Sequence, residues 1–381
     1  MKPIVAGVGM TKVGEQWSKS LKDLALEASL EAIDSSNLIP EVVVFSNMMS
    51  GRLQAQDHLG TLLVDELGLR GLPAVRVEAA CASGGAAFHV AYNMIKSGLY
   101  NIALVVGAEK MSDTSTEQTT TALMTAEDRE YTGFYGASFV SLNELAHRLY
   151  MERFNVSEEE MASLAVLSHE NGINNPFAMY RKKISIKEVL ESPYVADPIH
   201  LLEAAPTSDG AAAVILASEE VVKSKSYAVS VEASTMATDT IRYYEREDLL
   251  TFESAKKAFA NAISASKIEK TQIDIIELHD AFTIVGYLTL ESTNIVERGK
   301  AAKLIANNKF SLSDKPSVNT MGGLKSRGHP IGATGLFQIA EIYLQLTNNA
   351  GKNQVDNAKV GVAFNVGGVG TTTSVSVLKR R

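Results

Sequence analysis

The order of elements in the first half of the chain recurs in the second, and that recurrence constrains the fold more than any other feature. Apolar runs of strand length alternate with longer runs whose apolar residues fall on one helical face. The first half reads as strand PIVAGVGMT, a helix with Leu21, Leu24, Leu26 and Leu30 on its buried side, and strand EVVVFSNMM. Helix HLGTLLVDELGL, strand AVRVEAA, helix CASGGAAFHVAYNMIKSG and strands NIALVVGAEKM and AAAVILASE complete it. From Tyr227 the pattern starts again: strand YAVSVEASTMAT, helix FESAKKAFANAISASKI, strand DIIELHD, helix FTIVGYLTLESTNI and strand PSVNTMGG. Helix ATGLFQIAEIYLQL and strands KVGVAFNVGG and TTTSVSVLKR end the chain. Each half is therefore βαβαβαββ, which predicts an α/β fold with mostly parallel strands and crossover helices.

The duplication divides the 381 residues into an N-terminal half, 1–225, and a C-terminal half, 226–381. One stretch, residues 112–207, has no counterpart in the second half. An insertion of that size at a strand end is expected to form a lid or loop domain over a ligand site. Within it, Ser157 followed by Glu160 reads as a helix capping box.

Composition narrows the function. The formal charge of −8 argues against a nucleic-acid binder and a membrane-surface protein. No apolar run is long enough to span a bilayer, and the N-terminus lacks the apolar core of a signal peptide, so a cytoplasmic protein is expected. The basic pieces Arg181-Lys182-Lys183, Lys325 and Arg327 are candidate contacts for an anionic small molecule, chosen on charge alone.

Cys81 is the only cysteine, which fits a reducing compartment and excludes an internal disulfide. It opens a helix-like run at a strand end, where the macrodipole and free N–H groups favour a thiolate. Lone cysteines more often serve as small buried hydrophobes. The small residues Ala82 to Ala87, however, clear space for a close approach at this point.

Ligands of open α/β sheets lie beyond the carboxyl ends of the strands. Cys81, His279 in ELHDAF, His329 in SRGHPIGATG and Asn365 in AFNVGGVG all fall there. His279 has a bland alternative as a helix cap, with Asp280 the better capping residue. Asn365 has one as a turn residue. The glycines after it, Gly367 among them, have N–H groups suited to an anion hole. A metal site from Cys81 and these histidines lacks every usual ligand spacing, and none is expected.

These residues carry a resemblance. The Cys81 segment, VVGAEKMS, SDGAAAVILASE, HDAF, NTMGGLKSRGHPIGATG and NVGGVG together resemble the thiolase superfamily over nearly the whole chain. HDAF in place of NEAF, and Asn365 where a second cysteine usually stands, resemble the archaeal acetyl-CoA acetyltransferases related to sterol-carrier-type thiolases. The resemblance implies a five-layer αβαβα arrangement of the two halves. It implies a ping-pong Claisen condensation of two acetyl-CoA molecules to acetoacetyl-CoA and CoA, or the reverse, through acetyl-Cys81. No cofactor is implied beyond the CoA thioester substrates.

By match to the family motifs, His329 is the base on Cys81, and Cys81 and Gly367 supply the oxyanion N–H groups. His279 holds the enolate oxygen. Asn365 cannot act as a base, so the α-proton falls to His279, the preferred candidate, or to His329 through a water. A homodimer or homotetramer is implied, with a mevalonate-pathway role beside 3-hydroxy-3-methylglutaryl-CoA synthase and a small zinc-binding scaffold protein. A degradative 3-ketoacyl-CoA thiolase of longer chain preference, a ketoacyl synthase and a non-catalytic acyl-CoA-binding scaffold remain alternatives.

Overall fold

The computed structural model describes residues 1–222 and 229–381. The strands are β1 (Pro3–Met10), β2 (Val42–Ser46), β3 (Ala74–Val77), β4 (Ile102–Glu109), β5 (Tyr194–Ala196) and β6 (Ile199–His200). They continue with β7 (Gly210–Ser218), β8 (Val229–Thr238), β9 (Ile275–Glu277), β10 (Ser317–Val318), β11 (Val360–Gly367) and β12 (Thr372–Arg380). Strands β5 and β6 pair with each other inside the insertion; the other ten run in the order β10-β9-β11-β12-β8-β1-β7-β4-β2-β3.

That order is symmetric about the β8/β1 junction, so each half contributes the same five-strand arrangement. In each, three neighbours are parallel, β3-β2-β4 or β10-β9-β11. Their last strand, β7 or β12, is antiparallel to both of its neighbours. Among the described residues, the two half-sheets are joined at β1 and β8 by the pairs Ile4 opposite Ser230 and Val5 opposite Val229. The predicted boundary between residues 225 and 226, and the strand start at Tyr227, lie outside the described residues.

Helix contacts establish five layers. The Leu21–Ser36 helix covers the outer face of β1, β7 and β4, and the Glu253–Ser266 helix covers β8 and β12. Between the two half-sheets lie the Ser83–Lys96 and Thr334–Leu346 helices, each touching strands of both halves. Their buried residues, among them Phe88, Ile95, Leu336 and Ile342, form one core with the inward faces of both sheets. Two further apolar cores lie beneath the outer helices. Strand β7 is buried on both faces, which explains its unbroken apolar sequence.

Local details depart from the sequence reading. On the first helix Leu21 and Leu24 are buried, but Leu30 is 46% exposed. The sheet-facing side is instead Ala25, Ala28, Ser29 and Ala32, because backbone packs on backbone here. A Cβ on Gly9 would fall 2.1 Å from the Ala28 carbonyl oxygen. The small residues after Cys81 do the same. A Cβ on Gly84 would lie 2.8 Å from Gly335 N, and one on Gly335 would lie 2.3 Å from Gly85 N. Their space is taken by the crossing of the two central helices, not by a ligand. The insertion carries two consecutive helices, Phe139–Phe154 and Glu158–Gly172, separated at Asn155 with φ 49°. The predicted capping box starts the second: Glu160 N donates to Ser157 Oγ at 3.3 Å, and Ser157 N to Glu160 Oε2 at 3.0 Å.

Candidate active site

Cys81 stands in a turn and not on the helix. Strand β3 ends at Val77 and the helix starts at Ser83. Between them Ala80 holds φ 52°, a left-handed conformation that strains a non-glycine residue. Ser83 fixes the turn, its Oγ accepting from Ala79 N at 2.9 Å and donating to the Ala80 carbonyl at 2.6 Å.

His279 follows β9 and is buried. Its neighbour Asp280 does not cap the helix that begins at Thr283. It accepts from Leu324 N at 2.6 Å and Ser168 Oγ at 2.9 Å, and so anchors the loop that leads to His329. His329 N donates to Ser208 Oγ at 2.8 Å, and Gly328 before it has φ 107°. The His329 Nδ1 lies 2.7 Å from Thr334 Oγ1, which donates to the Pro330 carbonyl at 3.0 Å. One proton arrangement satisfies both contacts: Nδ1 carries hydrogen toward Thr334, leaving Nε2 an acceptor.

The structure brings Cys81, His279 and His329 together. The sulfur and a ring nitrogen of each histidine lie within 4.8 Å of one another. The two rings stand edge to face with centroids 5.0 Å apart. Asn365, near the end of β11, joins the group. Its Oδ1 accepts from Gly85 N at 2.9 Å, and its Nδ2 donates to the Cys81 carbonyl at 2.9 Å and lies 3.3 Å from His279 Nδ1.

Burial dominates the electrostatics. It pushes the Cys81 thiol up to about 12, with Glu109 adding to the rise, while the N–H groups of Gly368 and Cys81 pull it down. The thiolate expected from a helix terminus is therefore not the resting form; Cys81 lies outside the helix, with Ala82 between it and Ser83. Burial, then Arg327, lowers His329 to about 3. Burial, then His329 and Arg327, holds His279 well below the ordinary histidine range. Thiol and imidazoles are thus neutral at rest.

The three side chains open on a cavity of about 220 Å³. The insertion supplies much of its wall, including Leu123, Met124, Phe139 and Val140. The glycine whose N–H meets the sulfur is Gly368, which also lines the cavity; Gly367 is one residue away, inside β11.

The five basic candidates are not in this wall. Arg327 is fully buried, donating to Glu341 Oε2 at 2.6 Å and stacked over Phe337. Lys325 is buried with its ammonium 5.3 Å from the Tyr180 ring centre, and burial lowers it to about 8. Arg181 donates to the Ile173 carbonyl, and Lys182 and Lys183 pair with Glu188 and Glu170. Charge in a sequence says nothing of burial, and here two of the five cations are internal braces.

Sequence reasoning missed other parts. Glu109 is buried and accepts from Asn47 Nδ2 and from the N–H groups of Met48, Met49 and Gly332, tying the His329 loop to β4. The buried Lys110 pairs with Asp209 at 2.9 Å across the two stems of the insertion. Both had a signal in the motifs VVGAEKMS and SDGAAAV, whose charged residues interrupt apolar strands. Glu127 had none; it is buried beside Gly368.

Comparison with known families matches residues 3–220 to the thiolase N-terminal domain and residues 235–380 to the thiolase C-terminal domain-like family. The chain belongs to the thiolase family. It is 38% identical over 380 residues to the acetyl-CoA acetyltransferase of Methanothermobacter thermautotrophicus, covering 99% of each chain. It is 36% identical to that of Methanocaldococcus jannaschii, covering 98% of each. Human sterol carrier protein 2 is 32% identical, over 98% of this chain and 71% of that one. Among solved structures, the Ltp2-ChsH2(DUF35) aldolase superposes with TM-score 0.87 at 19% identity, covering 99% of this chain and 97% of that one. The acetyl-CoA acetyltransferase of Syntrophomonas wolfei gives 0.74 at 18%, covering 100% and 99%. At these identities the structural likeness shows the fold. As a thiolase the chain is an acyltransferase. No helix of the described residues is long and apolar enough to cross a membrane.

Proposed function

We propose that this thiolase condenses two acetyl-CoA molecules to acetoacetyl-CoA and CoA, and runs the reverse thiolysis, through acetyl-Cys81. The observation that carries the reading is the meeting of Cys81 with His279 and His329 at one cavity wall. The archaeal relatives named as acetyl-CoA acetyltransferases supply the substrate.

In the first half-reaction His329 Nε2 takes the thiol proton as sulfur attacks the acetyl carbonyl. The oxyanion faces the N–H groups of Cys81 and Gly367. Collapse expels the CoA thiolate, which leaves with the proton from His329. In the second, the thioester oxygen of another acetyl-CoA is held by His279. With its Nδ1 facing the Asn365 amide, His279 offers a donor and not a lone pair, so the sequence-based preference for it as base is set aside. His329, again neutral, takes the α-proton. The carbanion attacks acetyl-Cys81, the C–S bond breaks, and the sulfur recovers its proton from His329.

Condensation is uphill, so a product-consuming neighbour favours it. A 3-hydroxy-3-methylglutaryl-CoA synthase with a small zinc-binding scaffold protein, in a cytoplasmic mevalonate pathway, fits that need. The edge strand β3, with Val75 exposed, suits a homodimer.

The test is labelling with radioactive acetyl-CoA followed by peptide mapping. Label is expected on Cys81, and Cys81→Ala should lose both labelling and thiolysis of acetoacetyl-CoA. His279→Ala should slow condensation more than self-acetylation. Thiolysis that survives complete alkylation of Cys81 would sink the reading.

A further inference from the structure

Asn365 does more than occupy a space. Two contacts fix the orientation of its amide: Oδ1 accepts from Gly85 N, and Nδ2 donates to the Cys81 carbonyl. A flipped amide would set oxygen against a carbonyl and NH2 against an N–H, losing both bonds. Gly335 lies close against the amide, where a Cβ would fall 2.3 Å from Oδ1. With that orientation, Nδ2 keeps a second hydrogen beyond the one given to the Cys81 carbonyl and lies 3.3 Å from His279 Nδ1. An NH2 group cannot accept, so Nδ1 must, and the ring hydrogen sits on Nε2.

We infer that Asn365 is a positioning residue that locks His279 as the Nε2–H tautomer, making it an obligate hydrogen-bond donor to the substrate oxygen and excluding a metal ion from the Cys81/His279/His329 group. By distance, the three donor atoms suit one soft divalent cation. A metal on His279 Nε2 needs that nitrogen's lone pair, hence a hydrogen on Nδ1 and an acceptor facing it. The Asn365 amide presents a donor there. The site therefore keeps a thiol and two imidazoles in close reach without becoming a metal trap. His329 carries the opposite arrangement, hydrogen on Nδ1 toward Thr334, so the two rings divide into acceptor and donor.

The donor role rests on the proposed condensation, whereas the tautomer and the metal exclusion do not, and they are read without turnover. Nitrogen NMR of histidine-labelled wild-type protein, with His279→Gln to assign the signal, should show His279 as the Nε2–H form. Asn365→Asp replaces the donor with an acceptor and should move the hydrogen to Nδ1. Cobalt(II) titration should then show thiolate-to-metal charge transfer, with affinity about 10–100-fold above wild type. Adding Cys81→Ala should abolish that band. Condensation by Asn365→Asp should fall about 10²–10³-fold, the usual cost of one oxyanion donor. A wild-type His279 in the Nδ1–H form overturns the inference, whatever the variant does. So does wild-type cobalt binding as tight as that of Asn365→Asp. If Asn365→Asp does not fold, the wild-type spectrum and wild-type titration decide alone.

Discussion

The neutral resting pair is open to direct measurement through alkylation of Cys81. With the thiol at about 12, its thiolate fraction at pH 7 is on the order of 10⁻⁵. An unperturbed cysteine near 8.5 is about 3% thiolate, roughly three thousandfold more. The more basic sulfur is also the better nucleophile, and a Brønsted coefficient near 0.4–0.5 returns about thirtyfold. Iodoacetamide should therefore modify Cys81 about a hundredfold more slowly than free cysteine at pH 7. Its second-order rate, followed by mass spectrometry from about pH 6 to 10, should climb tenfold per unit without levelling. His329→Ala should leave that curve nearly unchanged, because the imidazole holds no proton from sulfur at rest. The same variant should slow acetyl transfer from acetyl-CoA by about 10²–10⁴, since base assistance is needed only as the carbonyl is attacked. A plateau below about pH 7, with reactivity above that of free cysteine and its loss in His329→Ala, would show a resting thiolate–imidazolium pair. That result would refute the argument that burial outweighs mutual attraction here.

Asp209, buried at the root of the insertion, accepts from the buried Lys110 Nζ and from the N–H groups of Gln16, Met111 and Ser112. Asp209→Ala leaves Lys110 paired with Asp113 and Ser112 Oγ but takes the acceptor from the Met111 N–H and its neighbours, and should cost about 1–3 kcal/mol in urea unfolding; no measurable loss would show the carboxylate to be dispensable. Burial raises Glu127 to about 7, with Arg246 opposing. Between about pH 4.5 and 7 the folded protein then binds more protons at Glu127 than the unfolded chain, so stability from this group falls as pH rises and levels off above 7. The drop is of order 3 kcal/mol, and Glu127→Gln should remove it from the stability–pH curve; equal slopes in variant and wild type would reject it.

How far the sequence could be read follows from which interactions are local. The βα alternation was legible because each element writes its own period, and the symmetric strand order follows from repeating it. His329 was legible because four glycines and prolines around it mark a close approach, and that approach is made: Gly332 N reaches Glu109 and His329 N reaches Ser208. Contacts between distant segments were not. The glycines after Cys81 looked like room for a ligand because the partner helix that fills it starts near Thr334. Arg327 read as a candidate anion contact because Glu341, its buried partner, sits in what reads as a plain amphipathic helix.

The assignment of the α-proton base shows the limit most clearly. Sequence reasoning noticed that an amide stands where a thiol is usual, and preferred His279 for the α-proton over His329 acting through a water. Residue 365 is 86 positions from His279, and only the folded geometry shows its NH2 group facing Nδ1. An amide cannot take up a proton at neutral pH, but it can fix where a neighbour's proton sits. In the proposed reaction, an amide in place of a thiol thus removes one base and, through the inferred tautomer, disqualifies a second. His329, whose Nδ1 faces Thr334, is then the group left with a lone pair for both proposed half-reactions.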